Sequence, residues 1–373
     1  MQKVKILHII KSLGRGGAEV LLPETLKLHN QFKFEFHYIY FLPWKDQMVQ
    51  AIQDAGGKIS CFSSGNNLEM LRQYKKVITY CENNKIDIIH CHLPWSGFLG
   101  RMIYKRTGIP LIYTEHNIQE RYHIATKWVN KLTFNSQSLA IGVSEDVTRS
   151  IKNSINPGIP VKTILNGVNT KEFRRNQIEG EKIKKQYDIP LNSIVIGNIA
   201  VFREQKALLN WVRAFKKIHE KHQGIYGVLV GAGPQEEEIK ALLEELNLTS
   251  FVKLPGLQTN TVAYFSAMDI FMMSSAFEGL PIALLEAMSM NCAVVSTKAG
   301  GVVEVVRDNR DGLLCEVGDW ETLAHKTIIL ADELEKRKKL QQAARERVEE
   351  DFSLLAMVDK LEEIYLKFQN NDH

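Results

Sequence analysis

No run of this sequence approaches the length of apolar chain that crosses a bilayer. Its most hydrophobic stretches, such as Ile270 to Met273, are broken by Ser, Asp or Glu within a few residues. A secretory leader is not expected either, because Met1-Gln2-Lys3-Val4-Lys5 leads straight into a strand-like run with no apolar h-region, and a cytoplasmic protein is the expectation. Cysteine is scarce. Cys61, Cys81, Cys91, Cys292 and Cys315 are odd in number and include no Cys-x-x-Cys pair, which argues for reduced thiols and against a disulfide framework. There is no Asp-x-Asp pair, no low-complexity tract and no short-period repeat.

What the chain does have is 373 residues, 45% hydrophobic and 24% charged, a soluble globular composition too long for one ordinary core and suited to two domains. The net charge of +4 hides an asymmetry. Residues 1–175 hold 24 Lys and Arg against 13 Asp and Glu, a net +11, whereas the remainder holds 23 against 30, a net −7. A basic first half suits an anionic surface or substrate, and solvated helix faces account for it equally well.

Strand-like and helical segments alternate every 20 to 30 residues or so, the pattern of parallel sheets covered on both faces. Val4 to Ile10 is a buried-strand run followed by Gly14-Arg15-Gly16-Gly17 and a helix from about Ala18, the opening unit of a doubly wound sheet. A dinucleotide fingerprint would need a third glycine where Glu19 stands, which counts against a nicotinamide or flavin enzyme. His90 and His92 flank Cys91, but in a strand the two histidines share one face and the thiol points away, so no metal site is expected there. Leu68 to Asn83 reads as one basic helix, and a loop and helix carrying Arg121 and Lys127 end near Asn135. Pro110 to Thr114 reads as a strand ending at Glu115-His116. Ligands of such sheets bind beyond the carboxyl ends of strands, so His116 stands where chemistry is expected. The basic, polar run Lys171 to Lys185 reads as the crossing between domains, and Glu321 to Phe352 as helical and heavily charged, a solvated helical face.

The most informative stretch is Phe277-Glu278-Gly279-Leu280-Pro281-Ile282, with Glu286 eight residues after Glu278. A strand, a Gly-Pro loop and a helix N-terminus leave backbone N–H groups without intrahelical partners, a terminus that attracts phosphate. A carboxylate so close to phosphate would repel it, so Glu278 is expected to face a neutral polyol, while Glu286 can accept from a vicinal diol such as a ribose. Solvated helix-flank acids would leave the same spacing.

These residues resemble the donor-binding signature of glycosyltransferase family 4, and the likeness spans nearly the whole chain. It continues through Gly16-Gly17-Ala18-Glu19, Val143-Ser144-Glu145, Asn166-Gly167-Val168 and Ala299-Gly300-Gly301. The resemblance implies an α/β GT-B fold, two Rossmann-like doubly wound domains facing a central cleft. Residues 1–170 would bind acceptor and 171–352 the nucleotide sugar, with a helix at 353–373 packing back on the first domain. It implies a retaining enzyme that moves a hexose from a UDP- or GDP-sugar to a glycan or polyprenyl-linked acceptor in cell-surface polysaccharide synthesis. No resident cofactor, no metal and no nucleic acid are implied.

Residue by residue, it places Lys206 on the donor diphosphate. The family arginine five positions earlier is here Val201, which leaves Arg203 to supply that charge. It further implies Glu278 at donor-sugar hydroxyls, Glu286 at ribose, the Gly279-Leu280 backbone, with Pro281 and Ile282, at phosphate, and Gly16-Gly17 at the cleft. The Gly231 and Gly233 loop and the main chain at Leu257 would meet the nucleotide, and His116 the reacting centre. Asn169 replaces the usual Asp after Asn-Gly-Val. A nucleotide-sugar 2-epimerase on the same fold and a non-catalytic scaffold are the alternatives. Peripheral association with an anionic membrane is a further expectation.

Overall fold

The structure is a computed structural model that describes residues 3–370. It divides into two units, Met1–Asn166 with Leu354–His373, and Gly167–Ser353. The first unit therefore closes inside the Asn-Gly turn, slightly before residue 170, and its last helix comes from the far end of the chain.

The first unit is built on a parallel sheet of β1 (Val4–Ile9), β2 (Phe34–Tyr40), β3 (Lys58–Cys61), β4 (Ile88–His92), β5 (Leu111–Glu115), β6 (Leu139–Gly142) and β7 (Val161–Thr163). Its strand order is β3-β2-β1-β4-β5-β6-β7, so the winding reverses between β1 and β4. Ile6 and Ile88 pair across that reversal and share a core with Phe34, Phe36 and, from the Leu354–Asn370 helix, Leu361 and Tyr365. β4 carries both His90 and His92 at its carboxyl end. The expected helix over 68–83 is two, Asn67–Arg72 and Tyr74–Asn84, which meet at Gln73.

The second unit carries β8 (Val195–Ile199), β9 (Tyr226–Val230), β10 (Val252–Gly256), β11 (Ile270–Met273), β12 (Ala293–Thr297) and β13 (Leu313–Cys315), in the order β10-β9-β8-β11-β12-β13. Its reversal lies between β8 and β11. Trp211 is fully buried beside it and donates its indole N–H to the Met272 carbonyl at 2.9 Å, and the Asn198 amide donates to the same oxygen at 2.8 Å. The polar run at 171–185 is not a bare crossing. Residues Gln177–Gln186 form a helix, and a Cβ on its Gly180 would lie 2.5 Å from the Ser266 carbonyl, so close packing on the Thr261–Ala267 helix depends on that glycine. The charged stretch after Glu321 is helical as expected, in two helices, Trp320–Asp332 and Leu334–Asp351, divided at Glu333. Val168 and Ser353 form an isolated parallel bridge, so the chain enters and leaves this unit at one place.

Candidate functional site

In the second unit the two loops that leave β8 and β11 meet where the winding reverses, the position at which open α/β sheets bind ligands. They are laced together. The Ser274 hydroxyl donates to the Lys206 and Ala207 carbonyls at 3.0 Å each, the Ala276 N–H to the Gln205 carbonyl at 2.8 Å, and the Gln205 amide to the Phe277 carbonyl at 3.0 Å. Ala207 sits at φ 46°, a left-handed conformation that costs a non-glycine residue energy and is held by this lacing.

The consequence is a contact that the sequence reading did not foresee. Lys206 Nζ lies 2.6 Å from Glu278 Oε1, which also accepts from the Ser275 hydroxyl at 2.6 Å. Glu278 is buried and Lys206 is partly exposed. The ammonium assigned to diphosphate and the carboxylate assigned to sugar are therefore one ion pair, and the lysine neutralises the charge expected to repel phosphate.

Glycines shape the surrounding loops. A Cβ at Gly301 would fall 1.7 Å from the Gly279 carbonyl, and one at Gly231, whose φ is +135°, would fall 1.8 Å from the Ala200 carbonyl. Both positions are closed to any side chain. The Ala299-Gly300-Gly301 turn presses on the Glu278–Leu280 loop, and the Gly301 N–H donates to the Glu278 carbonyl at 3.3 Å. Gly233 similarly packs against the Phe202 backbone, so the Gly231 and Gly233 loop serves packing as well as any approach to a nucleotide. Leu280 and Ile282 are buried, and Glu286 is buried on the Ile282–Ser289 helix. Arg203 is exposed at the start of the turn that carries Lys206, whose N–H donates to its carbonyl at 2.8 Å. Leu257 is half exposed beyond Gly256.

In the first unit, Gly16 precedes the Gly17–Leu28 helix at the end of β1, where that sheet reverses. His116 follows β5 and heads a row of imidazoles. Its Nε2 lies 3.4 Å from His92 Nδ1, and His92 Nε2 lies 2.9 Å from His8 Nδ1. His90 is in register with His8 on the neighbouring strand. Its two ring nitrogens meet the Tyr365 hydroxyl at 2.8 Å and the Thr114 hydroxyl at 2.7 Å. Burial lowers all four rings, His8 and His92 well below the ordinary value, His90 to about 3 and His116 to about 4. They are neutral at physiological pH. Cys91 points to the opposite face against Gly100, as strand geometry requires. The ligand atoms of His8, His90 and His92 lie within 4.8 Å of one another, close enough to hold an ion. A dication among them would be buried without a carboxylate in the cluster and would displace hydrogen bonds that His8, His90 and His92 already make.

Glu115 positions His116, and nothing in the sequence reading singled it out. Its carboxyl is fully buried and gathers five donors: the Tyr113 hydroxyl at 2.7 Å, the Gln119 amide at 2.7 Å, the Tyr122 hydroxyl at 2.5 Å, and the His116 and Asn117 N–H groups at 3.0 and 3.3 Å. The available signal was two tyrosines and a glutamine spaced around an acid at a strand end. Glu115→Gln places an N–H donor among converging donors, and is expected to cost about 2–4 kcal/mol in urea unfolding. Hydrogen exchange at 116–122 should accelerate; unchanged protection there would refute the positioning role.

A model for Glycosyltransferase Family 4 matches residues 15–172, and one for glycosyl transferases group 1 matches residues 179–347. The chain is 26% identical over 305 residues to the N-acetyl-alpha-D-glucosaminyl L-malate synthase of Bacillus anthracis, covering 80% of this chain and 79% of that one. It is 24% identical over 382 residues to the UDP-Gal:alpha-D-GlcNAc-diphosphoundecaprenol alpha-1,3-galactosyltransferase of Escherichia coli, covering 98% and 97%. Among solved structures, Anabaena Alr3699/HepE in complex with UDP and glucose superposes with a TM-score of 0.87 at 20% identity, covering 98% of this chain and all of that one, and so shares the fold. With a family model on each half and a GT-B fold throughout, this chain is a transferase that belongs to the family 4 glycosyltransferases.

Proposed function

We propose that this enzyme transfers a hexose, with retention at the anomeric carbon, from a UDP- or GDP-sugar to a glycan or polyprenyl-diphosphate-linked acceptor in bacterial cell-surface polysaccharide synthesis, working at the inner membrane face. The observation that carries the reading is the Lys206–Glu278 pair at the reversal of the second sheet. As the glycosidic bond breaks, charge gathers on the departing diphosphate, and Lys206 can follow it from Glu278 onto phosphate oxygen. Arg203 and the N-terminus of the Ile282–Ser289 helix add positive potential. The acceptor hydroxyl attacks from the face the diphosphate leaves and passes its proton to the departing phosphate oxygen. Glu278 and Glu286 hold sugar and ribose hydroxyls, and in the first unit His116 offers a neutral ring nitrogen at the end of β5 to a sugar hydroxyl. The acceptor class draws on the diphosphoundecaprenol named for the Escherichia coli relative.

These groups supply the leaving-group charge without a metal, so EDTA is expected to leave turnover unchanged. A panel of UDP-, GDP- and ADP-sugars, with and without a lipid-linked acceptor, tests the whole reading by nucleotide release and by the anomeric configuration of the product. Sugar conversion with no acceptor present would make the protein an epimerase. Absence of any nucleotide-induced thermal shift would make it a scaffold.

A further inference from the structure

One helix of the first unit is turned inside out. Ile124–Thr133 carries Ile124, Trp128 and Leu132 at intervals of four residues, which aligns them in one stripe about 12 Å long. All three face solvent, 70%, 63% and 77% exposed, with Val129 beside them. The residue that the helix buries is polar: Asn130 is fully buried, accepts from Arg101 Nη1 at 2.7 Å and donates to Gln119 Oε1 at 2.7 Å. Arg101 is itself buried against Phe98, Tyr113 and Phe134. This polar anchor fixes the helix with its apolar side outward.

Lys127 and Lys131 border the stripe, Arg121 lies just before the helix, and no Asp or Glu occurs from Arg121 to Phe134. The nearest preceding acid, Glu120, is held by the Ser150 and Ser154 hydroxyls at 2.5 and 2.7 Å. We propose that this helix is the segment by which the protein docks on an anionic lipid bilayer, Ile124, Trp128 and Leu132 entering the headgroup boundary and the lysines meeting lipid phosphates. A short helix with aromatic and aliphatic residues on one side and lysines along its border is built to lie in that plane. A second copy of the chain fits less well. Two-fold pairing sets the same patch against itself, so each lysine pair would face another lysine pair, and three side chains fall short of the ~800 Å² per partner of a stable interface.

The proposal gives the membrane reading above its contact surface, and it is tested without donor or acceptor, so its failure is separate from failure of the transferase reading. Wild-type protein should cosediment with phosphatidylcholine vesicles containing about one-third phosphatidylglycerol and not with pure phosphatidylcholine. Ile124→Ser/Trp128→Ser/Leu132→Ser should lower the partition coefficient at least about 100-fold. Lys127→Gln/Lys131→Gln should lower it about 25-fold and flatten its salt dependence. Wild type remaining in the supernatant at low salt would overturn the proposal, as would equal binding by the triple variant. So would a wild-type dimer that the triple variant converts to monomer with vesicle binding unchanged. Should the triple variant not fold, the lysine variant, which removes no apolar contact, decides.

Discussion

Lys206→Ala is expected to lower kcat by about 100- to 1,000-fold, the loss typical of removing one charge-stabilising donor from a reacting centre. The ion pair makes the prediction sharper than a simple loss of activity. Glu278 holds the ammonium at 2.6 Å and would compete with a phosphate for it. Glu278→Gln keeps the shape and removes that competition, so UDP affinity should rise, by about 5-fold for about 1 kcal/mol of pairing, even as kcat falls with the lost contact to the sugar. Lys206→Ala should weaken both. Lys206→Arg, which retains the charge, should recover part of the affinity. A purely structural pair gives a different pattern: both variants would lose nucleotide binding in step with melting temperature, and calorimetric titration with UDP beside thermal unfolding distinguishes the two.

Acidification is the second large effect. An unfolded histidine takes a proton near pH 6.5, whereas the folded His116 resists it to about 4 and His90 to about 3, with His8 and His92 also well below the ordinary value. Between those limits the unfolded chain binds more protons, so stability falls as pH falls. At pH 5 each ring contributes roughly 2 kcal/mol of this loss before any sharing among neighbours. The first unit should therefore melt more than about 10 °C lower at pH 5 than at pH 7. Glu35, held to about 2 by Lys58 and His37, keeps its contribution until far lower pH, and Glu115, raised by burial, opposes the trend. The window from 6.5 to 5 thus belongs mainly to the imidazoles. His8→Phe should flatten the profile; an unaltered slope would show that the acid sensitivity lies elsewhere.

The residues differ in how far their roles could be read from the chain. His90 and His92 share a face because strands alternate, and that reading needed only their spacing. That His8 joins them depends on β1 lying beside β4, which no local pattern states. The motif residues of the Glu278 loop were legible, but their closest partner was not: Lys206 is 72 residues away and reaches Glu278 only because β8 and β11 are neighbours. The run Lys171 to Lys185 reads as a crossing from its polar composition alone, whereas the Gln177–Gln186 helix within it is seated by close packing of Gly180 on the Ser266 carbonyl, a contact that composition does not state. The basic helix near Lys127 was recognised, yet which side it shows to water follows from Asn130 and Arg101, not from its apolar period.

The Val168–Ser353 bridge closes a loop of chain that interrupts the first unit. The row of histidines and its covering residue Tyr365 are consequently separated in time as well as in sequence. A ribosome adding about 5–20 residues per second needs roughly 10–40 s to make the intervening segment. Throughout that interval His8, His90 and the apolar faces of β1 and β4 lack the helix that will cover them. The inserted unit has no such wait, and it should be complete before the unit that began first.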